Sequence, residues 1–414
     1  MLLSSLLAVG LLVLSPADQP LALEEALEAD GPRALQALAP AGLGASERRL
    51  VDGALAAFAG QDGVAEAELA AAMEDSALTP DLRRHAASFL AGVRLRAEDF
   101  DGAAQAFDVA DQITPLVPDV AQARAFVEPL RGQPGIVMEG FVPGCLDIAR
   151  DPAGLPRGDI AINGGVQEAV LDTGAAFSTI TQSVAERMGL RPISGEVSVG
   201  AAGADDVSSS FAIADNLEIG PVRFSNVVFI VLPDEALSFA GGRYTIEAIL
   251  GMPVFLRLER LSFAQANGTE SFCFQRSEDE AGGSNIYLEG LSAIVEADVE
   301  NAGAPLHLLI DTGAQATTLS ARPISLFPAL AQGAQARGAR VGGAGGVVWD
   351  GGAVTLPELT VEIGGEAVTI TGISAGISQG AAGRRDGLLG QDVLSARGGF
   401  TLDFKTMRLE LLDG

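Results

Sequence analysis

The tetrapeptide Asp-Thr-Gly-Ala occurs twice in this chain of 414 residues, at Asp172-Thr173-Gly174-Ala175 and at Asp311-Thr312-Gly313-Ala314, each time closing a short apolar run. Seventy-nine positions past each aspartate stands the glycine of an aliphatic-aliphatic-Gly segment, Ile249-Leu250-Gly251 and Leu388-Leu389-Gly390. Both motifs recur at one offset of 139 residues, which marks a duplicated unit that supplies one carboxylate per copy. If the two copies pack face to face, Asp172 and Asp311 meet. Two carboxylates at hydrogen-bonding distance cannot both ionise easily, so such a pair shares a proton and its apparent pKa values separate. The ionised member can take a proton from water while the protonated member donates to a carbonyl oxygen, with neither a metal nor a covalent nucleophile. Gly174 and Gly313 allow a close approach that a Cβ would block, and the Thr173 and Thr312 hydroxyls can hydrogen-bond across to the opposing turn.

The chain must build two matching platforms for these turns. Beyond Arg131-Gly132-Gln133-Pro134-Gly135, a linker by composition, Val, Ile, Thr and Gly increase and short strands alternate with glycine turns. Gly158 to Ile162, Glu168 to Leu171, Val227 to Leu232, Ala293 to Val299, Leu306 to Ile310 and Leu359 to Ile363 read as strands. The polar segment 277–285 reads as a connector between a first lobe over 135–276 and a second over 286–414. Before the linker, residues 18–130 are rich in Ala, Leu, Glu and Arg and read as helices at Ser46 to Phe58, Gly63 to Ala77, Asp81 to Ala97 and Asp101 to Ile113. The expected architecture is multidomain α+β, with N-terminal all-α hairpins followed by an all-β duplicated barrel pair.

These motifs resemble those of the retropepsin-like aspartic proteases. Val170-Leu171-Asp172-Thr173-Gly174-Ala175 and Leu309-Ile310-Asp311-Thr312-Gly313-Ala314 match the family's strand and turn, and the two aliphatic-aliphatic-Gly segments match the element that packs beneath it. The resemblance covers about residues 135–414 and implies an aspartic endopeptidase. Asp172 and Asp311 would be catalytic, Thr173, Gly174, Thr312 and Gly313 supporting. The glycine segments Val199 to Gly203 and Val341 to Gly346 would be flap tips, with Gly200, Gly203, Gly343 and Gly345 against an extended polypeptide substrate. No metal and no cofactor is implied. A second resemblance, of Ala87 to Pro115 to a tetratricopeptide repeat, makes the helical region a candidate docking site for a protein partner.

Composition narrows the alternatives. With 54 acidic against 26 basic side chains, the net charge of −28 opposes nucleic-acid binding by counterion release. The two histidines, His85 and His307, and two cysteines leave no material for a zinc site or a thiol-histidine enzyme. His307 stands four residues before Asp311, but without a Gly-x-Ser-x-Gly turn it reads as a surface residue. Cys145 and Cys273 bracket the first copy; a disulfide and a pair of buried thiols both fit. Residues 1–17 open with an uncharged apolar run ending at Ser15-Pro16-Ala17, which reads as a secretory signal and implies a periplasmic or secreted protein. Left uncleaved, it would be the one membrane anchor. The reading that competes with the protease is a non-catalytic periplasmic binding or scaffold protein that uses the same fold and its helical repeats.

Overall fold

The computed structural model describes residues 23–28, 31–38, 42–116, 118–199, 207–266, 268–278, 283–343, 346–377 and 385–413. The signal-like segment 1–17 therefore lies outside the described residues.

Helices Ala45–Phe58, Asp62–Glu74, Pro80–Ala97 and Phe100–Ile113 each pack on the next. Their ends are set by local chemistry. The Thr79 hydroxyl accepts from the Leu82 amide at 3.2 Å with Pro80 behind it, while Glu98 turns the chain in the left-handed region at φ 59° and Asp99 caps the next helix through the Gly102 amide. Small and aliphatic side chains such as Leu50, Ala54, Leu69, Leu90, Ala91 and Ala103 are fully buried between them.

The β region forms two closed six-stranded barrels of one topology. In the first, strands run Pro156–Ile162, Gly165–Leu171, Ala248–Leu250, Ser178–Thr181, Val222–Leu232 and Val207–Ile219, and the last pairs back on the first through Ala161 and Ile162. In the second the same order is Ser292–Val299, Leu306–Ile310, Gly387–Leu389, Thr318–Ser320, Glu366–Ile377 and Val354–Ile363, closed through Asp298 and Val299. Closure leaves each barrel without free edges and fills it with Leu, Ile, Val and Phe. The N-terminal helical region followed by a duplicated barrel is thus the observed fold class.

The barrels are not independent. Arg260–Ala266, at the end of the first, pairs on one side with Thr269–Gln275 and on the other with Gly399–Asp403 from the end of the second. Phe263 stacks on Phe400 across that junction at 4.9 Å between ring centroids. Thr269–Gln275 continues the sheet to Gly144–Arg150, placing Cys273 directly opposite Cys145, and the two form a disulfide. The sheet ties the lobes together below their turns.

The helices rest on the second barrel. Tyr287 and Ile294 enter the helical core, Tyr287 meeting Phe58 edge to face at 5.5 Å, and the buried Arg96 donates to the Gly290 carbonyl while paired with Asp62. His307 departs from its surface reading. It is half-buried, its Nδ1 3.0 Å from the Tyr287 hydroxyl, because Tyr287 is pressed onto it from the helical side.

Candidate active site

Each Asp-Thr-Gly turn leaves a buried strand and is held from below by the strand of its aliphatic-aliphatic-Gly segment. Leu171 pairs in parallel with Leu250, and the Asp172 amide donates to the Leu250 carbonyl at 3.0 Å. Ile310 pairs with Leu389, and the Asp311 amide donates to the Leu389 carbonyl at 3.1 Å. Gly251 and Gly390 donate to hydroxyls six residues past each aspartate, Ser178 at 3.1 Å and Thr317 at 3.0 Å. These two hydroxyls escaped the sequence reading, although they too recur at the 139-residue offset.

The turns face each other within one chain. The Thr173 amide donates to the Thr312 hydroxyl at 2.9 Å and the Thr312 amide to the Thr173 hydroxyl at 3.1 Å. Each hydroxyl passes its own hydrogen to a carbonyl of the opposite strand, Thr173 to Ile310 at 2.8 Å and Thr312 to Leu171 at 2.6 Å. All four bonds cross the lobe boundary, and both threonines are fully buried. Thr173→Val or Thr312→Val would strand an amide and a carbonyl. At roughly 1–3 kcal/mol for each buried group left unpaired, each substitution is expected to lower unfolding free energy by about 2–4 kcal/mol, measurable by urea denaturation.

The carboxyls sit where the turns meet. Asp172 Oδ1 accepts from the Gly174 amide at 2.8 Å, and each carboxyl lies against the other copy's turn, Asp311 beside Gly174 and Asp172 beside Gly313. Protein packs densely around both, although solvent still reaches part of each side chain. Burial is the largest influence on each and pushes both above the usual carboxylate value of 3.8. Amide donors, Gly174 first, restrain Asp172, whereas the charge of Asp172 adds to burial at Asp311 and holds it well above that value. Both shifts run the same way, toward holding a proton at a pH where an isolated carboxyl has lost it.

The supports are unequal. Gln391 Nε2 donates to the Thr312 carbonyl at 2.9 Å, and Asp392 Oδ1 accepts from the Thr317 amide and hydroxyl at 2.9 and 2.7 Å. The corresponding residues of the first lobe are Met252 and Pro253, whose side chains can do neither.

The strands that lead to the glycine segments pair as hairpins. Strands Arg191–Val199 and Val207–Ile219 pair as far as Val199 with Val207, and Ala339–Gly343 pairs with Gly346–Asp350 as far as Gly343 with Gly346. Gly200, Gly203 and Gly345 lie outside the described residues. Trp349, on the second of these hairpins, is 61 % exposed and packs over Gly338. Cavities of about 510 and 590 Å³ open on the first lobe, but neither is lined by Asp172 or Asp311. No group of three or more potential metal ligands occurs among the described residues.

Residues 159–254 match the aspartyl protease family, and residues 297–396 match the gag-polyprotein aspartyl protease family. Each matched segment contains one of the two Asp-Thr-Gly turns. Among solved structures it matches a retropepsin-like aspartic protease from Rickettsia conorii at 20% identity, over 34% of this chain and 97% of that one, with a TM-score of 0.24. No curated protein matches the sequence.

Proposed function

We propose that the chain is an aspartic endopeptidase in which Asp172 and Asp311 form one intramolecular dyad. The observation that carries this reading is the reciprocal threonine bonding, which holds the two Asp-Thr-Gly turns face to face in one chain. In this reading a water lies between the carboxyls. Asp172, ionised and steadied by the Gly174 amide, takes a proton from the water as its oxygen attacks the peptide carbonyl carbon. Asp311 donates its proton to the carbonyl oxygen, giving a tetrahedral gem-diol. The dyad then returns a proton to the amide nitrogen as the carbon–nitrogen bond breaks, and the acid and amine products leave. The substrate is an extended polypeptide whose backbone meets the flap edges as an added strand.

Activity needs one proton on the pair, which sets the sign of the pH dependence. It falls on the acid side as Asp172 protonates and on the basic side as Asp311 ionises. Both values are raised, so the active window lies above that of ordinary carboxyls. Digestion of an unfolded protein such as reduced casein from acid to neutral pH, with and without a pepstatin-type inhibitor, tests the reading. A bell-shaped, inhibitor-sensitive profile is expected. A well-folded sample with no cleavage at any pH and no inhibitor binding would favour the scaffold alternative.

We also propose that the protein works outside the cytoplasm, in the periplasm or beyond it. The Cys145–Cys273 disulfide and the apolar N-terminal run support this. Among the described residues no helix is long and apolar enough to cross a membrane.

A further inference from the structure

The duplication predicts a peptide groove whose two ends are alike, but the ends are built differently. Five residues past Asp172 stands Phe177, and the corresponding residue of the second copy is Ala316. Phe177 is 3% exposed, whereas Ala316 is open to solvent. The backbones at the two positions are equivalent, since each lies against its Gly251 or Gly390. Phe177 is covered from within the barrel by Phe211, at 6.5 Å between ring centroids, and from outside it by the helical region. Phe126, on the helix Pro118–Val127 that ends the helical region, sits 5.3 Å from Phe177 and 4.9 Å from Phe211, ring centroid to ring centroid. Phe211 lies on the returning strand of the first flap, opposite Ile193. Three residues on from Phe126, Pro129 packs against Gly195 of the outgoing flap strand, where a Cβ would stand 3.1 Å from the proline ring.

The helical region therefore touches both the segment leaving the Asp172 turn and both strands of the first flap. On the endopeptidase reading, a peptide that crosses the dyad alongside residues 177 and 316 would pass these surfaces at one end. At the other it meets Ala316 and solvent. An aromatic cluster is rigid and well packed, so it excludes bulk more firmly than a flexible loop would.

We propose that Phe126 is a specificity-determining residue supplied by the helical region: it walls one end of the peptide groove, so subsites on one side of the scissile bond are narrower than those on the other. This rests on the endopeptidase reading. It makes the helical region part of the substrate site, in addition to anything it docks.

The test compares the full-length protein with Phe126→Ala, Phe126→Leu and, as a control on the same helix, Ala125→Ser at an exposed position. Cleavage sites in an unfolded peptide mixture are sequenced by mass spectrometry. Phe126→Ala is expected to admit bulky apolar residues on one side of the cut only, with kcat/KM for such peptides rising about tenfold or more, the discrimination a well-fitted apolar pocket supplies. Phe126→Leu shifts the same side less, and Ala125→Ser leaves the profile unchanged. If Phe126→Ala does not fold, Phe126→Leu carries the comparison. Amide hydrogen exchange gives a readout independent of catalysis: residues 191–199 exchange faster in the Phe126 variants, while 339–343 do not change. An unaltered cleavage profile, or one altered equally on both sides, overturns the wall whatever the exchange shows. A folded wild type that cleaves nothing removes the endopeptidase reading itself, and the wall with it.

Discussion

Asp172→Asn and Asp311→Asn are each expected to lower kcat/KM for peptide hydrolysis by on the order of a thousandfold or more, within the range that a positioned acid or base contributes. The two substitutions fail for different reasons. Asparagine at 172 leaves no base for the water. At 311 it keeps a hydrogen-bond donor but has no proton to transfer, so the carbonyl oxygen stays uncharged only if the proton comes from elsewhere. The fold should survive both changes, because the threonine bonds that join the turns use backbone amides, carbonyls and hydroxyls and do not involve the aspartates. The Asp311 variant has a second signature. Its carboxyl is raised above 3.8 by burial and by Asp172, so the folded chain holds a proton that the unfolded chain releases. The stability associated with that group is fully present below the unfolded value and is lost as pH rises through the folded one. Asparagine does not titrate, so Asp311→Asn gains on the wild type as pH rises from acid to neutral. Kinetics on both variants, with thermal melts across the same pH range, check the two halves separately. Full activity in either variant would rule out one shared dyad.

The parts legible in the sequence were those carried by short patterns. The 139-residue offset brought Asp172 and Asp311 together as counterparts, and the threonine and glycine beside each pointed to crossed hydrogen bonds and a tight approach. Helices such as Phe100–Ile113 showed in runs of alanine with aromatic residues at helical spacing, and strands such as Leu306–Ile310 in apolar runs between turn residues. What stayed hidden depends on partners far apart in the chain. Nothing in Arg260–Ala266 says that its second neighbour is Gly399–Asp403, since alternation identifies a strand and leaves its edge partner open. Likewise, cysteine count left Cys145 and Cys273 undecided until the register of two adjacent strands put them opposite each other. Phe126 drew no reading from the sequence, because its ring contacts, Phe177 and Phe211, lie far downstream in the first lobe. Gln391 and Asp392 were visible as letters, but matching the copies by what they share drew attention away from where Met252 and Pro253 differ.

Gly174→Ala and Gly313→Ala are expected to lower activity by on the order of a hundredfold or more, since a shift of about 1 Å in the reacting groups has that effect. Neither glycine has a positive φ, so alanine meets no backbone strain at either position. The obstacle is space. A Cβ at Gly174 would stand 2.5 Å from Asp311 Cγ, and one at Gly313 2.7 Å from Asp172 Oδ1. Each added methyl would therefore strike the carboxyl of the other copy. The Asp172 carboxyl cannot simply rotate aside, because its Oδ1 accepts from the Gly174 amide. The turns must then separate, which lengthens the four threonine bonds and splits the dyad, so stability and activity fall together. Gly92, in the interior of Pro80–Ala97, provides the contrast, since a Cβ there would meet nothing within 4 Å. Gly92→Ala should stabilise the protein by about 0.5–1 kcal/mol through helix propensity and leave kcat/KM unchanged. Urea melts and peptide kinetics on the three variants separate a close-approach requirement from a general intolerance of substitution. A fully active Gly174→Ala enzyme would show that the two turns do not meet as closely in solution as this geometry requires.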